Sequence, residues 1–591
     1  MLTEVFKVVS EQWRILFGIL LFITLGQGLV ILTVKSLFHE KLTFVEYFSL
    51  GLAGWIVPIS LLSMAWLFLG LASSALLNRV MIPGGILLVI AILFRLQPNF
   101  EPGSSVKILF ILLTLILTSI LIRLAFVSQA IFPSYFDSAA HYSIIKNIIQ
   151  HGTAQALAST TYYHRSFHVL IAFLVSALNA DIARVMLILG QMVLALMPVS
   201  VFFPVKHVTG SNSAGIFAII LSAIGWYMPA HAANWGKYPA LISLALIPFV
   251  LSLAYLVLQN QAAVTLQNKW KQYIVLGLSV AVTILFHSRS LFILTIVALA
   301  WMMTLWLGKL SLRIRSLIFM IIFIGLVLEI FFIQKQAIFL PLFDPYLHKG
   351  IWITALVLLL SIFALRGYSQ VVFACFLSMC LLLGSLFVPI RIPGYGTLTL
   401  LDRPLVEMIL YLPLSLLGGL GLAGLEKLLP QLSFWKFLRW KYIYGLVIGL
   451  IAIHALATYN FYPSDCCVLV GNNDVAAFAW MQENLSRDAY IGISVTEMNV
   501  LPSDVVEGYT GGDAGIWITP LIDRHTFPLF FSSDFGQEDV RSQLCQSGVS
   551  HLYVGELGQP FDSARLDEHP EWYKVLLSMQ NAKVYEVSGC G

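Results

Sequence analysis

Residues 131–168 read IFPSYFDSAAHYSIIKNIIQHGTAQALASTTYYHRSFH, the longest polar interruption in the first three quarters of an otherwise apolar chain. Asp137, His141, Lys146, His151, His164, Arg165 and His168 gather there beside hydrophobic runs. Ionisable groups next to membrane-length apolar segments are costly unless they are paired or functional. Chemistry is therefore sought first in this loop.

The 591 residues are 59% hydrophobic and 11% charged, with a mean hydropathy of +0.87, against about 25% charged in a typical soluble domain. Runs of roughly 20 apolar residues can cross about 30 Å of hydrocarbon as helices. They recur over 13–35, 46–70, 78–95, 106–127, 183–204, 212–228, 235–258, 271–287, 290–308, 314–334, 350–366, 370–389, 404–424 and 441–459. The fold expected is a polytopic α-helical membrane protein with about 14 spans. The first run precedes many others and lacks a small-residue cleavage site, so it reads as a retained span. The stretch 166–180 is apolar but short, and either crosses or dips in. A net charge of +4 is too small to call for a polyanionic partner, and no basic tract suits nucleic acid.

Basic clusters mark cytoplasmic loops: Lys269 with Lys271, Lys309 with Arg313 and Arg315, and Lys427 with Lys436, Arg439 and Lys441. Counting spans outward from them places 228–238, 335–349, 389–404 and the C-terminal tail outside. The loop at 132–165 joins them if 166–180 dips. Four segments follow: N-terminal transmembrane helices over 1–127, an outer loop of catalytic type with juxtamembrane helices over 128–182, a transmembrane core over 183–460, and a soluble extracytoplasmic α/β domain over 461–591. In the last, 490–495, 551–554 and 583–587 read as strands, and 475–484 and 539–547 as helices. Cys375 and Cys380 lie in an apolar span, whereas Cys466, Cys467, Cys545 and Cys590 lie in the tail. In an oxidising compartment a disulfide from the 466/467 pair to Cys545 or Cys590 is expected.

Several constellations can carry chemistry, and each has a plainer reading. Asp137 and His141 are spaced to share a helix face; a carboxylate beside an imidazole can take a proton from a sugar hydroxyl or hold a cation. An N-cap aspartate and a surface histidine would look the same. His164 and His168 stand one turn apart, a spacing used by zinc helices, but no HExxH pattern accompanies them, and bonding to lipid headgroups or phosphate fits them as well. In HAANWGKYP, Lys237 is a cation among aromatics beside Tyr238, suited to a phosphate at the interface or to snorkelling in an aromatic belt. Arg289 stands at one span's mouth, and Asp402, Arg403 and Glu407 at another; Asp402 and Arg403 can pair structurally. Lys237, Arg289 and Arg403 on one face would suit a lipid-linked phosphate or diphosphate. In GGDAGIWITPLIDR, Asp513 and Trp517 form either an acceptor-side sugar platform or a tight turn before a packed tryptophan.

FDSAAHYSIIKNIIQHG, YYHRSFHVLIAFL, WGKYP and a tail with DVAAFAWMQENL and GGDAGIW resemble the GT-C superfamily of integral-membrane glycosyltransferases from residue 132 onward. The resemblance implies a GT-C-like fold, a sugar donated by a polyprenyl phosphate on the outer face, inversion at the anomeric carbon, and Asp137 as general base with His141 beside it. Donor-phosphate contacts from Lys237, Tyr238, Arg289, Arg403, His164 and His168 are an inference from the residues. Asp137 has no adjacent carboxylate, which departs from the metal-dependent branch; no metal ligand set is assigned, and dependence on a divalent cation is left open. The partners expected are the lipid-linked sugar donor, a glycan, lipid or protein acceptor, and membrane lipids, in a bacterial inner membrane. The alternative is a transporter or lipid flippase for cell-envelope precursors, in which the same charges line a translocation path; a third reading is a non-catalytic assembly partner.

Overall fold

In hydrocarbon every backbone N–H and C=O must be bonded within its own segment, so the apolar runs become helices. The computed structural model describes residues 2–38, 42–69, 84–85, 87, 104–158, 165–259, 266–392, 396–429, 440–459, 461–497 and 509–590. The run at 78–95 lies almost wholly outside the described residues, and His164, Lys436 and Arg439 lie outside them. Among the described residues ten helices are long and apolar enough to cross a membrane: Leu2–Leu37, Phe44–Phe68, Val106–Gln129, Ile182–Thr209, Tyr238–Gln259, Lys269–Phe286, Ser290–Leu307, Arg313–Gln334, Ile351–Phe387 and Arg403–Leu428. The helix Arg165–Leu178 has 14 residues, about 21 Å at 1.5 Å per residue, short of the roughly 30 Å hydrocarbon core. Nearly all of it is buried among other helices.

The long element Ile351–Gly384 is two helices, because Tyr368 at φ −137°, ψ 29° breaks the path. Near its start Thr354 accepts a hydrogen bond from Trp226. Just past its end Phe387 lies 5.6 Å from Phe339, a few residues before Asp344, which accepts from Tyr227. Both ends therefore meet one end of the bundle, and the chain folds back at Tyr368. Helix Tyr411–Leu428 runs alongside, with Gly421 and Gly424 against the backbone of Leu360 and Phe363, where a Cβ would strike carbonyl groups. Small residues allow such close approach between helices.

Two polar ends result. At one, Glu46 meets His207 at 3.2 Å, Ser211 donates to Glu426, Gln272 donates to the Leu37 carbonyl and Lys427 stands over Tyr368. At the other gather the loop before Asp137, the turns around 226–238, 287–290 and 335–350, the short hairpin β1 (Pro389–Ile392) and β2 (Gly396–Thr399), and the tail.

The tail is a mixed sheet with helices. Strand β3 (Tyr490–Glu497) pairs in parallel with β5 (His525–Phe530) and β6 (His551–Val554) and antiparallel with β4 (Tyr509–Gly511). Beyond β6 follow β8 (Lys583–Val587) and β7 (Tyr573–Ser578), both in antiparallel pairings. Helices Asn472–Asn484 and Glu538–Gln546 flank it. The disulfides differ from expectation: Cys545 joins Cys590, tying helix Glu538–Gln546 to the C-terminal end, and Cys466 joins Cys467. The reason is location, since the Cys467 carbonyl accepts from Tyr135 N–H at the membrane seam.

That seam is apolar. Ala139 belongs to the same buried cluster as tail residues Phe478, Ile493 and Ile518, and Trp517 packs at 4.9 Å on Phe132 and 5.7 Å on Tyr142. Trp517 is fully buried, and truncating such a side chain costs about 3–5 kcal/mol. Trp517→Ala is expected to lower the melting temperature and to expose the tail to limited proteolysis, while the solvent-exposed change Val575→Ala is expected to leave both unaltered.

Candidate functional site

The site is built at the start of helix Phe136–Ala158. Tyr135 takes φ +66°, a region that non-glycine residues rarely occupy, and its N–H donates to the Cys467 carbonyl at 2.9 Å. The turn is tightened by Ser138, whose hydroxyl donates to the Ser134 carbonyl at 2.6 Å. Asp137 thus falls in the first helical turn, where the partial positive charge of the helix N-terminus favours an anion.

Against this turn presses the loop that precedes helix Tyr238–Gln259. Gly236 has φ +64°, and a Cβ there would lie 2.6 Å from Ser138 Oγ and 3.1 Å from the Ser134 carbonyl. Only glycine meets both demands. The approach carries Lys237 Nζ to 2.5 Å from Asp137 Oδ2. Asp137 is 8% exposed, and the Lys237 side chain is 33% exposed, so the pair stands at a rim rather than sealed inside. Asn234 braces the loop: its Oδ1 accepts from Ser464 N–H at 2.8 Å.

Arg403 belongs to the same electrostatic neighbourhood. Burial pushes the Tyr135 phenol above its ordinary range, with Asp137 adding to the rise and Lys237 and Arg403 opposing it. Arg289 pairs with Asp402, and the other Asp402 oxygen caps helix Arg403–Ile409 through Leu405 N–H at 2.9 Å. Asp402, read in the sequence as able to pair structurally with Arg403, is thus taken up by Arg289 and by capping the helix. His231 is pushed down to about 4 by burial, Lys349 adding to the drop and Asp344 opposing it, so it adds no positive charge at neutral pH. Glu407 is 2% exposed within helix Arg403–Ile409.

Other residues singled out in the sequence lie elsewhere. His141 is buried and turned inward, its Nδ1 3.0 Å from Nε2 of the fully buried His168. Tyr238 is fully buried, stacked 6.0 Å from Phe167 and packed over Gly190. Both Tyr238 and His168 sit on bundle-facing sides of their helices, which withdraws them from a surface ligand. Asp513 and Trp517, read as acceptor-side candidates, are fully buried: Asp513 accepts from Gly515 and Gly555 N–H at 2.8 Å, and Trp517 fills the seam. Here the tight turn before a packed tryptophan prevails. Among the described residues no three His, Cys, Asp or Glu side chains converge as a metal site. Sequence reasoning passed over Tyr135, Asn234 and Gly236 as individual residues, although WGKYP contains the glycine.

Residues 43–393 match a family of unknown function, DUF6541. The match takes in Asp137, Lys237 and Arg289 and ends before Asp402, Arg403 and the tail. No curated protein matches the chain.

Two outcomes are expected. Gly236→Ala strains the positive φ and crowds Ser138, so it should lower stability by at least about 1 kcal/mol, read by thermal unfolding, whereas Gly277→Ala, in open space, should not. Burial raises the Asp513 carboxyl to about 7 from 3.8, although Gly515 and Gly555 N–H oppose the rise. The folded state then holds more protons than the unfolded chain between those values, so this group's contribution to stability falls as pH climbs from about 4 to 7. Trp517 fluorescence melts across that range should show the slope, and Asp513→Asn should flatten it.

Proposed function

The chain belongs to DUF6541, a family without an assigned activity, and from the site we propose that it is an inverting GT-C glycosyltransferase using a polyprenyl-phosphate sugar donor. The observation that carries this reading is Lys237 Nζ at 2.5 Å from Asp137 Oδ2 on an accessible rim, with Arg403 acting on the same neighbourhood. A base lies beside groups able to hold an anion.

The reaction follows from that pairing. Donor phosphate competes for Lys237 and draws the ammonium away from Asp137. The freed carboxylate accepts the proton of an acceptor hydroxyl. That oxygen attacks the anomeric carbon from the face opposite the phosphate, and the carbon–oxygen bond to phosphate breaks with its electron pair leaving on phosphate. Lys237 and Arg403 stabilise the departing charge. Arg289, bound to Asp402, positions the turn that carries Arg403. His141 and His168 brace the helix behind Asp137. The acceptor is a glycan, lipid or protein, and the membrane is a bacterial inner membrane with the site and tail on its outer side.

A transporter or flippase is less favoured, because the charges of the site gather at one end of the bundle and, among the described residues, they build no broken-helix site at mid-depth. Purified protein in liposomes, supplied with a panel of labelled polyprenyl-phosphate sugars, is expected to transfer sugar to acceptor. Asp137→Asn should reduce the rate at least about 100-fold, in the range of a lost general base, and Lys237→Ala should raise the KM for donor. Undiminished transfer by Asp137→Asn, or lipid translocation without transfer, would overturn the reading.

A further inference from the structure

A cavity of about 250 Å³ opens between helices Val106–Gln129, Asn212–Gly225 and Gly445–Ala455. Its wall is almost entirely hydrocarbon, with Ile116, Val199, Ile220, Ile448 and Ala452 among the lining residues. Four polar side chains break that pattern, the hydroxyls of Thr118 and Ser119 and, of most consequence, Arg123 and Tyr459. Arg123, 6% exposed, lines the cavity, and among the described residues it meets no carboxylate, its guanidinium instead standing 5.2 Å from the Tyr459 ring centre. Tyr459 also lines the cavity and is 7% exposed, and its hydroxyl has no hydrogen-bond partner among the described residues.

A buried cation without a counter-charge and a buried hydroxyl without an acceptor are each costly. Here they sit together at the edge of an apolar chamber. Arg123 lies six residues before Gln129, which donates to Glu4 at the polar-loop end; that is about 9 Å along the helix, a depth to which a lipid phosphate can be drawn. One ligand chemistry meets all three features: an anionic oxygen for Arg123 and Tyr459, joined to a hydrocarbon chain for the cavity.

We propose that this cavity is a binding site for an anionic phospholipid of the surrounding bilayer, its phosphate held by Arg123 and the Tyr459 hydroxyl and one acyl chain in the apolar chamber. The charge complementarity chooses an anionic over a zwitterionic lipid, and the hydrocarbon wall chooses a lipid over a free anion. The site uses none of the groups assigned to catalysis, so it stands or falls apart from the glycosyltransferase reading.

The test is native mass spectrometry of the full chain in a neutral detergent, titrated with dioleoyl phosphatidylglycerol, dioleoyl phosphatidylcholine, a polyprenyl phosphate or inorganic phosphate. One phosphatidylglycerol per chain is expected, held at least tenfold more tightly than phosphatidylcholine, with inorganic phosphate not retained. Arg123→Gln should abolish the tenfold preference and leave phosphatidylcholine binding unchanged, while Ala452→Phe should remove both by filling the chamber. Equal retention of the two phospholipids by the unaltered protein, a preference that survives Arg123→Gln, or preferential retention of polyprenyl phosphate would overturn the proposal. If Arg123→Gln does not fold, Arg123→Lys must keep the preference and Ala452→Phe must still lose it; any other result overturns the proposal.

Discussion

The meeting of Asp137 with Lys237 is the constraint around which the polar end is arranged. Their backbones are 100 residues apart, and they touch because one loop carries a glycine in the left-handed region and the facing turn carries a tyrosine in it. Neither backbone conformation is comfortable for an ordinary residue. Each is held by contacts outside itself, Gly236 by the packed Ser134 and Ser138 turn and Tyr135 by the Cys467 carbonyl. A charged contact at a membrane rim is valuable only if its geometry is fixed beforehand, because ordering two long side chains otherwise offsets much of the attraction.

The tail supplies that fixity. Its exposed ion pair, Lys146 with Asp523 at 2.8 Å, leaves Asp523 largely in solvent and contributes little. The buried Trp517 contacts with Phe132 and Tyr142 contribute far more, through apolar area withdrawn from water. Polar links then set register: Ser464 N–H to Asn234, and Tyr135 N–H to Cys467. Apolar burial thus holds the tail down while hydrogen bonds aim the turn that carries Asp137.

Much of the fold was legible in the sequence because hydrocarbon imposes one rule on every span: length and apolarity. The runs at 350–366 and 370–389 mark the fold-back at Tyr368, and 490–495, 551–554 and 583–587 lie within or coincide with β3, β6 and β8. The site was legible by residue type but not by contact. Asp137 and Lys237 stand out as ions beside apolar runs, yet nothing in their spacing says they touch. His141 reads as a partner of Asp137 and His168 as a phosphate contact, because helical spacing does not say which face turns inward. Asp513 and Trp517 illustrate the same limit: a glycine turn, a carboxylate and an indole compose equally well as a sugar platform or as a packed corner, and only the surrounding strands decide. The cysteine pairing could not be read from order along the chain, because it depends on which tail residues face the membrane seam.

The seam also has a bearing on biosynthesis. A nascent chain that has emerged only as far as residue 459 already contains Asp137, Lys237, Arg289 and Arg403, but it lacks the Ser464 and Cys467 groups that hold Asn234 and Tyr135 in place. Its polar end is therefore unlatched throughout translation of the membrane bundle. The last quarter of the polypeptide acts as the closing stitch, so a prematurely terminated product would be inserted in the bilayer with its polar corner unset.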